Sequence, residues 1–205
     1  MAINTYQTLQ DAVANWVHRP GDATITARIM DCISLVESRM SADLSGRSME
    51  LRATLTCVPS VAYVTLPTDI VEIRRLLLSS TTPQTTLKYV TPDNISKDYA
   101  YGSVGQPVIY TVNGAQVQLA PVPDTAYSLE LSYYQKVPPL STTNTTNWLL
   151  AGYPNVYLYG TLAELMVYLQ DANGLAINKK LYLEAVDVVN KIDWYTGSTM
   201  IVRAS

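Results

Sequence analysis

The sequence predicts an α+β fold: a four-helix bundle built from N- and C-terminal helical pairs, with an antiparallel β-rich domain inserted between them. Three observations predict it. Apolar residues recur at helical spacing up to residue 46 and again beyond residue 146, whereas between them the period is two. Helical and strand segments are segregated along the chain, which excludes a parallel βαβ architecture. Each helical pair is too small to bury its own apolar stripe, so the two are expected to pack together. The domain boundaries read 1–46 with 146–197 for the bundle, 47–145 for the insertion and 198–205 for a C-terminal tail.

The first helix spans residues 5–18: Thr5 caps it, and Tyr6, Leu9, Val13, Trp16 and Val17 share a face before the Arg19-Pro20-Gly21 break. A second begins at Asp22 and carries Ile25, Ile29, Cys32, Ile33, Val36, Met40 and Leu44 in one stripe, closed by Gly46. Arg28, Asp31, Glu37, Arg39 and Asp43 lie largely off that stripe and read as a solvated face. From Met49 to Cys57 apolar and polar residues alternate, as in a half-buried strand. Val61 to Leu66 and Glu72 to Ser79 follow as two more strands. Pro92 to Tyr101 reads as a short helix with proline at its first position. Asn113-Gly114 between two alternating runs predicts a tight hairpin with a type I′ turn, and Tyr127 to Val137 is the last strand, giving five or six in all. In the C-terminal pair, Leu158, Leu162, Leu165 and Leu169 mark one helix face. Ile177, Leu181, Ala185, Val188, Ile192 and Tyr195 mark the inner face of the next.

Composition narrows the function. The chain has 205 residues, 48% hydrophobic and only 15% charged, enough for a real core and unlike a disordered protein. A net charge of -3 and a pI of about 5.1 supply no basic field to grip DNA by counterion release. Residues 1–16 have neither a basic nor a continuous apolar stretch, so no secretory signal is expected. The apolar run 148–169 is interrupted by Gly152, Pro154, Asn155 and Glu164, and reads as a buried helix and not a membrane span. Fifteen tyrosines, three tryptophans and no phenylalanine mean that every aromatic ring has a polar end, which suits surfaces buried on one side and wet on the other.

Catalytic candidates are sparse. His18 is the single histidine, at a helix end where a capping or surface role fits better than catalysis. Asp69, Glu72, Asp93, Asp98, Asp124 and Glu130 hold the carboxylates of the middle region, with no spacing that favours an acid-base pair. Cys32 and Cys57 form no metal-binding pattern and read as buried free thiols. Asp171, Asn173 and Gly174 resemble the start of a calcium loop, but Tyr182 stands where its bidentate glutamate belongs, so an Asn-Gly helix cap is the better reading. No metal, cofactor or catalytic residue is therefore assigned. Tyr99, Tyr101, Tyr133, Tyr134, Tyr153, Tyr157 and Tyr159 offer stacking surfaces for sugar or single-stranded nucleic acid, but without a basic groove a protein interface fits them better.

Four segments in order, LPTDIVEIRRLLL (66–78), LKYVTPDNI (87–95), GQPVIYTVNGAQVQLAPVPDTAYSLELSYYQKVPPLS (105–141) and TNWLLAGYPNVYLYGTLAELMVYLQD (146–171), resemble the head-to-tail adaptor (connector) proteins of tailed bacteriophages, of the tail tubular protein A type. The resemblance spans roughly residues 60–190 and implies a structural virion protein without enzymatic activity. It implies a homo-oligomeric ring of about twelve copies. The ring docks on the portal protein, extends the DNA channel and offers a platform to the tail (nozzle or tail tube) protein. DNA would pass through without specific binding, and no membrane is involved. The expected location is the head-to-tail interface of the virion, after a soluble phase in the host cytoplasm. By the same resemblance the helical bundle meets the portal, the β-rich region meets neighbours and tail proteins, and the C-terminal segment reaches the portal. That places portal binding on Trp194, Tyr195, Met200, Ile201, Val202 and Arg203. Met200, Ile201 and Val202 have no core to join within the chain, and burying each is worth about 1.5 to 3 kcal/mol. Two alternatives remain at this point: a tail- or fibre-associated carbohydrate-binding module using the tyrosines, and a hydrolase using His18 or a carboxylate pair.

Overall fold

The computed structural model describes residues 2–44, 46–98 and 103–195. The chain divides into two compact units, residues 1–48 with 137–205, and Met49–Lys136.

In the first unit, α1 (Tyr6–Trp16) starts with a capping box: the Thr8 amide donates to the Thr5 hydroxyl at 3.2 Å and the Thr5 amide to the Thr8 hydroxyl at 2.9 Å. It ends in a Schellman turn. His18 adopts φ 56°, its amide donates to Asn15 O at 3.0 Å, and the Arg19 amide donates to Ala14 O at 2.9 Å. Asp22 caps α2 (Ala23–Asp43) through Oδ1, which accepts from the amides of Thr24 and Ile25. Ile25, Ile29, Cys32, Ile33, Val36, Met40 and Leu44 are all buried, as their spacing predicts. Asn147 caps the short α4 (Trp148–Gly152); α4 stops at Tyr153 because Pro154 opens α5 (Pro154–Tyr168) and disfavours helical geometry in the residue before it. A second Schellman turn, with Gln170 at φ 57°, joins α5 to α6 (Ala172–Tyr195). Asp171, not Asn173-Gly174, is the cap: its Oδ1 accepts from the amides of both residues, at 3.1 and 3.0 Å.

The expected four-helix bundle is not what forms. The described residues hold six helices and two four-stranded sheets, and α5 is a hub contacted by α1, α2, α4 and α6. The reason is the composition of α5. A bundle corner shows one apolar stripe, whereas α5 buries Val156, Tyr157, Leu158, Gly160, Thr161, Leu162, Ala163 and Leu165 around its whole circumference. The face of α6 also departs from expectation. Asn178, Tyr182, Ala185, Val186 and Val189 are buried, while Ile177 is 61% exposed and Val188 is exposed. Gly160 explains the rotation: a Cβ there would lie 2.7 Å from Val36 and 3.0 Å from the Tyr182 ring, so the missing side chain admits the tyrosine. Apolar spacing alone does not register such a notch.

In the second unit, β1 (Glu50–Thr56), β3 (Ile70–Leu78), β4 (Thr85–Thr86) and β8 (Ser128–Gln135) form one sheet, ordered β1-β8-β3-β4. β2 (Tyr63–Thr65), β5 (Lys88–Tyr89), β6 (Ile109–Asn113) and β7 (Gln116–Ala120) form the other, ordered β2-β7-β6-β5. The short α3 (Pro92–Asp98) precedes β6. Leu76, Leu78, Leu129 and Leu131 from one sheet and Val64, Tyr110, Val117 and Leu119 from the other share a core with Cys57. The insertion is not purely antiparallel, since β5 runs parallel to β6. The two-residue strands β4 and β5 fall below the length at which a period of two is visible.

The hairpin forms one residue later than its sequence suggests. Asn113 pairs with Gln116, so Gly114 and Ala115 are the loop, and Gly114 alone has positive φ, at 60°. Positive φ at the first central position only is the mark of a type II′ turn. Val112 thereby faces Val117 and not Ala115, a shift of two that keeps every side chain on its expected face.

Candidate functional site

Three places in the two units carry polar chemistry or unsatisfied surface. The first is internal to the helical unit. Glu37 on α2 is 9% exposed and accepts the Leu140 amide at 2.7 Å and the Tyr157 hydroxyl at 3.1 Å. The Asn147 amide group donates to Tyr157 Oη at 2.7 Å and to Pro138 O at 2.8 Å, while its Oδ1 caps α4. One carboxyl thus ties α2 to α5 and to the strap 138–147. Burial pushes its pKa up, with the two hydrogen bonds opposing, and burial beside Glu37 pushes the Tyr157 hydroxyl up as well. The polar side of α2 is not simply solvated. Arg39 pairs with Glu164 of α5, and Asp43 accepts the Tyr182 hydroxyl at 2.9 Å. Polar residues off the stripe are engaged because α2 is flanked by more than one helix.

The second place is the outer face of the β1-β8-β3 sheet, where charges alternate across strands. Glu130 on β8 lies 3.4 Å from Arg75 and 3.9 Å from Arg52, and Arg74 pairs with Glu50. The three arginines of this face thus share two glutamates, which weakens the field they present to phosphate.

The third place is a groove of about 650 Å³ at the open side of the two sheets, lined by Leu66 and residues 70–74 from one side and by Tyr89, Tyr110, Val112 and Gly114 from the other. Val71 is 44% exposed and Tyr89 52% exposed, and the Tyr89 and Tyr110 rings meet edge to face at 5.7 Å. Sequence reasoning did not single out this groove, which is assembled from residues nearly fifty positions apart, Leu66 to Gly114. The local signal is slight: exposed Val71 on β3 and exposed Tyr89 on the two-residue β5.

The residues singled out from sequence are dispersed. His18 is an exposed cap. Asp69 accepts from Tyr133 Oη and from the Gln135 amide group, Asp124 accepts Tyr127 Oη at 2.7 Å, and Glu130 serves the arginines. No group of three or more His, Cys, Asp and Glu that would hold a metal ion is found among the described residues. Cys32 and Cys57 are free and buried, each pushed up to about 11 chiefly by burial. Among the described residues the tyrosines make no single platform: Tyr133 is buried in the core, Tyr157 binds Glu37, and Tyr159 packs edge-on to Trp16 at 6.1 Å. Tyr99 and Tyr101 lie outside the described residues. Of the six portal-binding candidates, Trp194 and Tyr195 end α6, while Met200, Ile201, Val202 and Arg203 lie outside the described residues. No helix among the described residues is long and apolar enough to cross a membrane.

A comparison with curated proteins finds no match. The SU10 adaptor protein family model, by contrast, aligns with residues 4–203. That span contains both units and all four segments that resemble head-to-tail adaptors. Residues 4–59, which precede the span of that resemblance, are matched as well. An adaptor family implies a structural role in the virion, contacting other head and tail components. The chain belongs to the SU10 adaptor protein family.

Proposed function

We propose that the chain is the subunit of a bacteriophage head-to-tail adaptor ring. About twelve copies dock on the portal protein, extend the DNA channel and present a platform for the tail protein. Family membership over residues 4–203 is the observation that carries this reading. Two physical features support it. A net charge of -3, with the sheet arginines paired to glutamates, lets DNA pass without being held. Exposed Trp16, Tyr63, Tyr89 and Tyr168 give each unit aromatic surface of the amphipathic kind favoured at wet interfaces. In this reading the protein does no catalysis, and Trp194, Tyr195, Met200, Ile201, Val202 and Arg203 belong to a C-terminal segment that docks on the portal.

Negative-stain microscopy of the protein mixed with its portal tests the proposal. A ring stacked on the portal is expected, and a bare portal overturns the reading. Free protein that stays monomeric does not, since in this reading the portal can serve as the template on which the ring assembles. Deleting residues 198–205 is expected to leave the circular dichroism spectrum unchanged and abolish portal association. Unaltered association would show the segment to be idle.

A further inference from the structure

The outer edge of β1 lies open. Its register with β8 runs without a bulge from Glu50↔Tyr134 to Thr56↔Ser128, unlike that of β3, which shifts near Val71 and Arg74. Just beyond the strand the Cys57 amide donates to Tyr127 O at 2.9 Å, so by alternation Leu55, Ala53 and Leu51 are the residues that bond to β8. Arg52, Thr54 and Thr56 turn their backbone groups the other way, to an edge with no strand partner among the described residues. Proteins protect such an edge with proline, a bulge or an inward-pointing charge, and β1 has none of these. Its inward side chains are Leu51, Ala53 and Leu55, opposite Tyr133, Leu131 and Leu129 of the core, and Leu51 is left 43% exposed.

We propose that a second copy of the chain covers this edge: two β1 strands pair antiparallel about a two-fold axis at Ala53, joining the sheets of the two copies into one. The strand complements itself in this register. Arg52 exchanges both backbone hydrogen bonds with the partner's Thr54, and Thr54 with the partner's Arg52, using only groups that β8 leaves free. Inward, Leu51 meets the partner's Leu55, and alanine meets alanine at the axis, where a non-hydrogen-bonded pair brings side chains closest. Outward, Arg52 faces the partner's Thr54 and Glu50 faces the partner's Thr56, so no like charges stand directly opposed. An axis one residue earlier sets Arg52 against the partner's Arg52, and an axis one residue later leaves Leu51 beyond the end of the partner's strand. These pairings are what identify the occupant as another β1. A two-fold contact closes on itself and builds no ring, so the pairing belongs to the free chain and stands apart from the adaptor reading.

Sedimentation of the full chain from micromolar to submillimolar concentration tests the proposal, since one strand pair is a small interface and weak association is expected. The mass should rise from monomer to dimer. Thr54→Pro removes an amide that the β8 ladder does not use, so it should keep the parent's circular dichroism spectrum and stay monomeric. Disulfide capture reads the register, because facing residues of a non-hydrogen-bonded pair lie about 4.5 Å apart at Cα. Cys32 and Cys57 are buried, each pushed up to about 11, and give no background. Ala53→Cys is expected to cross-link to itself on oxidation. Leu51→Cys alone is not, but mixed with Leu55→Cys it is. A chain that stays monomeric throughout overturns the proposal. So does a Thr54→Pro variant that associates like the parent, or an Ala53→Cys chain that does not cross-link. None of these results bears on a ring stacked on the portal, so the two readings fail separately.

Discussion

Glu37 shows how a single residue escapes a sequence reading. It sits beside Val36 and three positions before Met40, on the margin of the α2 stripe, where a fraction of a turn of helix rotation decides between solvent and core. The structure buries it against Leu140 N and Tyr157 Oη. Its folded pKa is raised, so between the unfolded value and the folded one the native state keeps a proton that the unfolded chain has lost. Stability contributed by this group is therefore greatest at low pH and falls as pH rises through the folded pKa. Glu37→Gln keeps an acceptor for both donors and removes the buried charge. It is expected to be at least as stable as the parent at neutral pH, with the difference shrinking as pH is lowered toward the ordinary carboxylate range. Glu37→Ala strands both donors and opens a cavity, and should cost about 2 to 4 kcal/mol. Urea melts of the two variants at several pH values check this; a glutamine variant that is less stable at neutral pH and gains nothing from alkali would contradict it.

Elements were legible in proportion to their length and to the regularity of their period. The α2 stripe stands in the sequence because it repeats one signal over several turns, and the Thr5 and Asp22 caps because residue type and position mark a helix start. The β6-β7 hairpin was legible in existence but not in turn type. Asn-Gly favours a type I′ turn locally, yet the structure keeps Asn113 at negative φ within β6, its side chain donating to Gln118 at 2.9 Å. Only Gly114 then needs the left-handed region. A Cβ at Gly114 would meet nothing within 4 Å, so the cost of Gly114→Ala is purely conformational, about 1 to 2 kcal/mol. Asn113→Ala loses only an exposed side-chain bond and should stay within about 0.5 kcal/mol. Equal losses for the two variants in chemical denaturation would instead indicate positive φ at both positions, as in the type I′ turn.

For the whole molecule, period identified the α+β class, but the arrangement of helices depended on something periodicity does not carry. An apolar helix such as α5 has no preferred face, so its role as hub emerges only when α1, α2 and α6 are placed around it. The candidate groove was hidden for a related reason: its walls come from β3, β5 and β6, and its openness depends on how short β4 is. The division into units has a consequence of its own. Glu50, the first residue of β1, pairs with Tyr134 near the end of β8, so the ends of the Met49–Lys136 unit lie on adjacent strands. Its core of Leu76, Leu78, Leu119, Leu129 and Leu131 is drawn entirely from within those bounds. A unit with adjoining ends and its own core folds without the chain that flanks it. Residues 49–136, expressed alone, are expected to give a β-type circular dichroism spectrum and a single cooperative urea transition, with Cys57 protected from thiol reagent until that transition. Rapid labelling of Cys57 in native buffer would show that the β unit depends on the helices for its core.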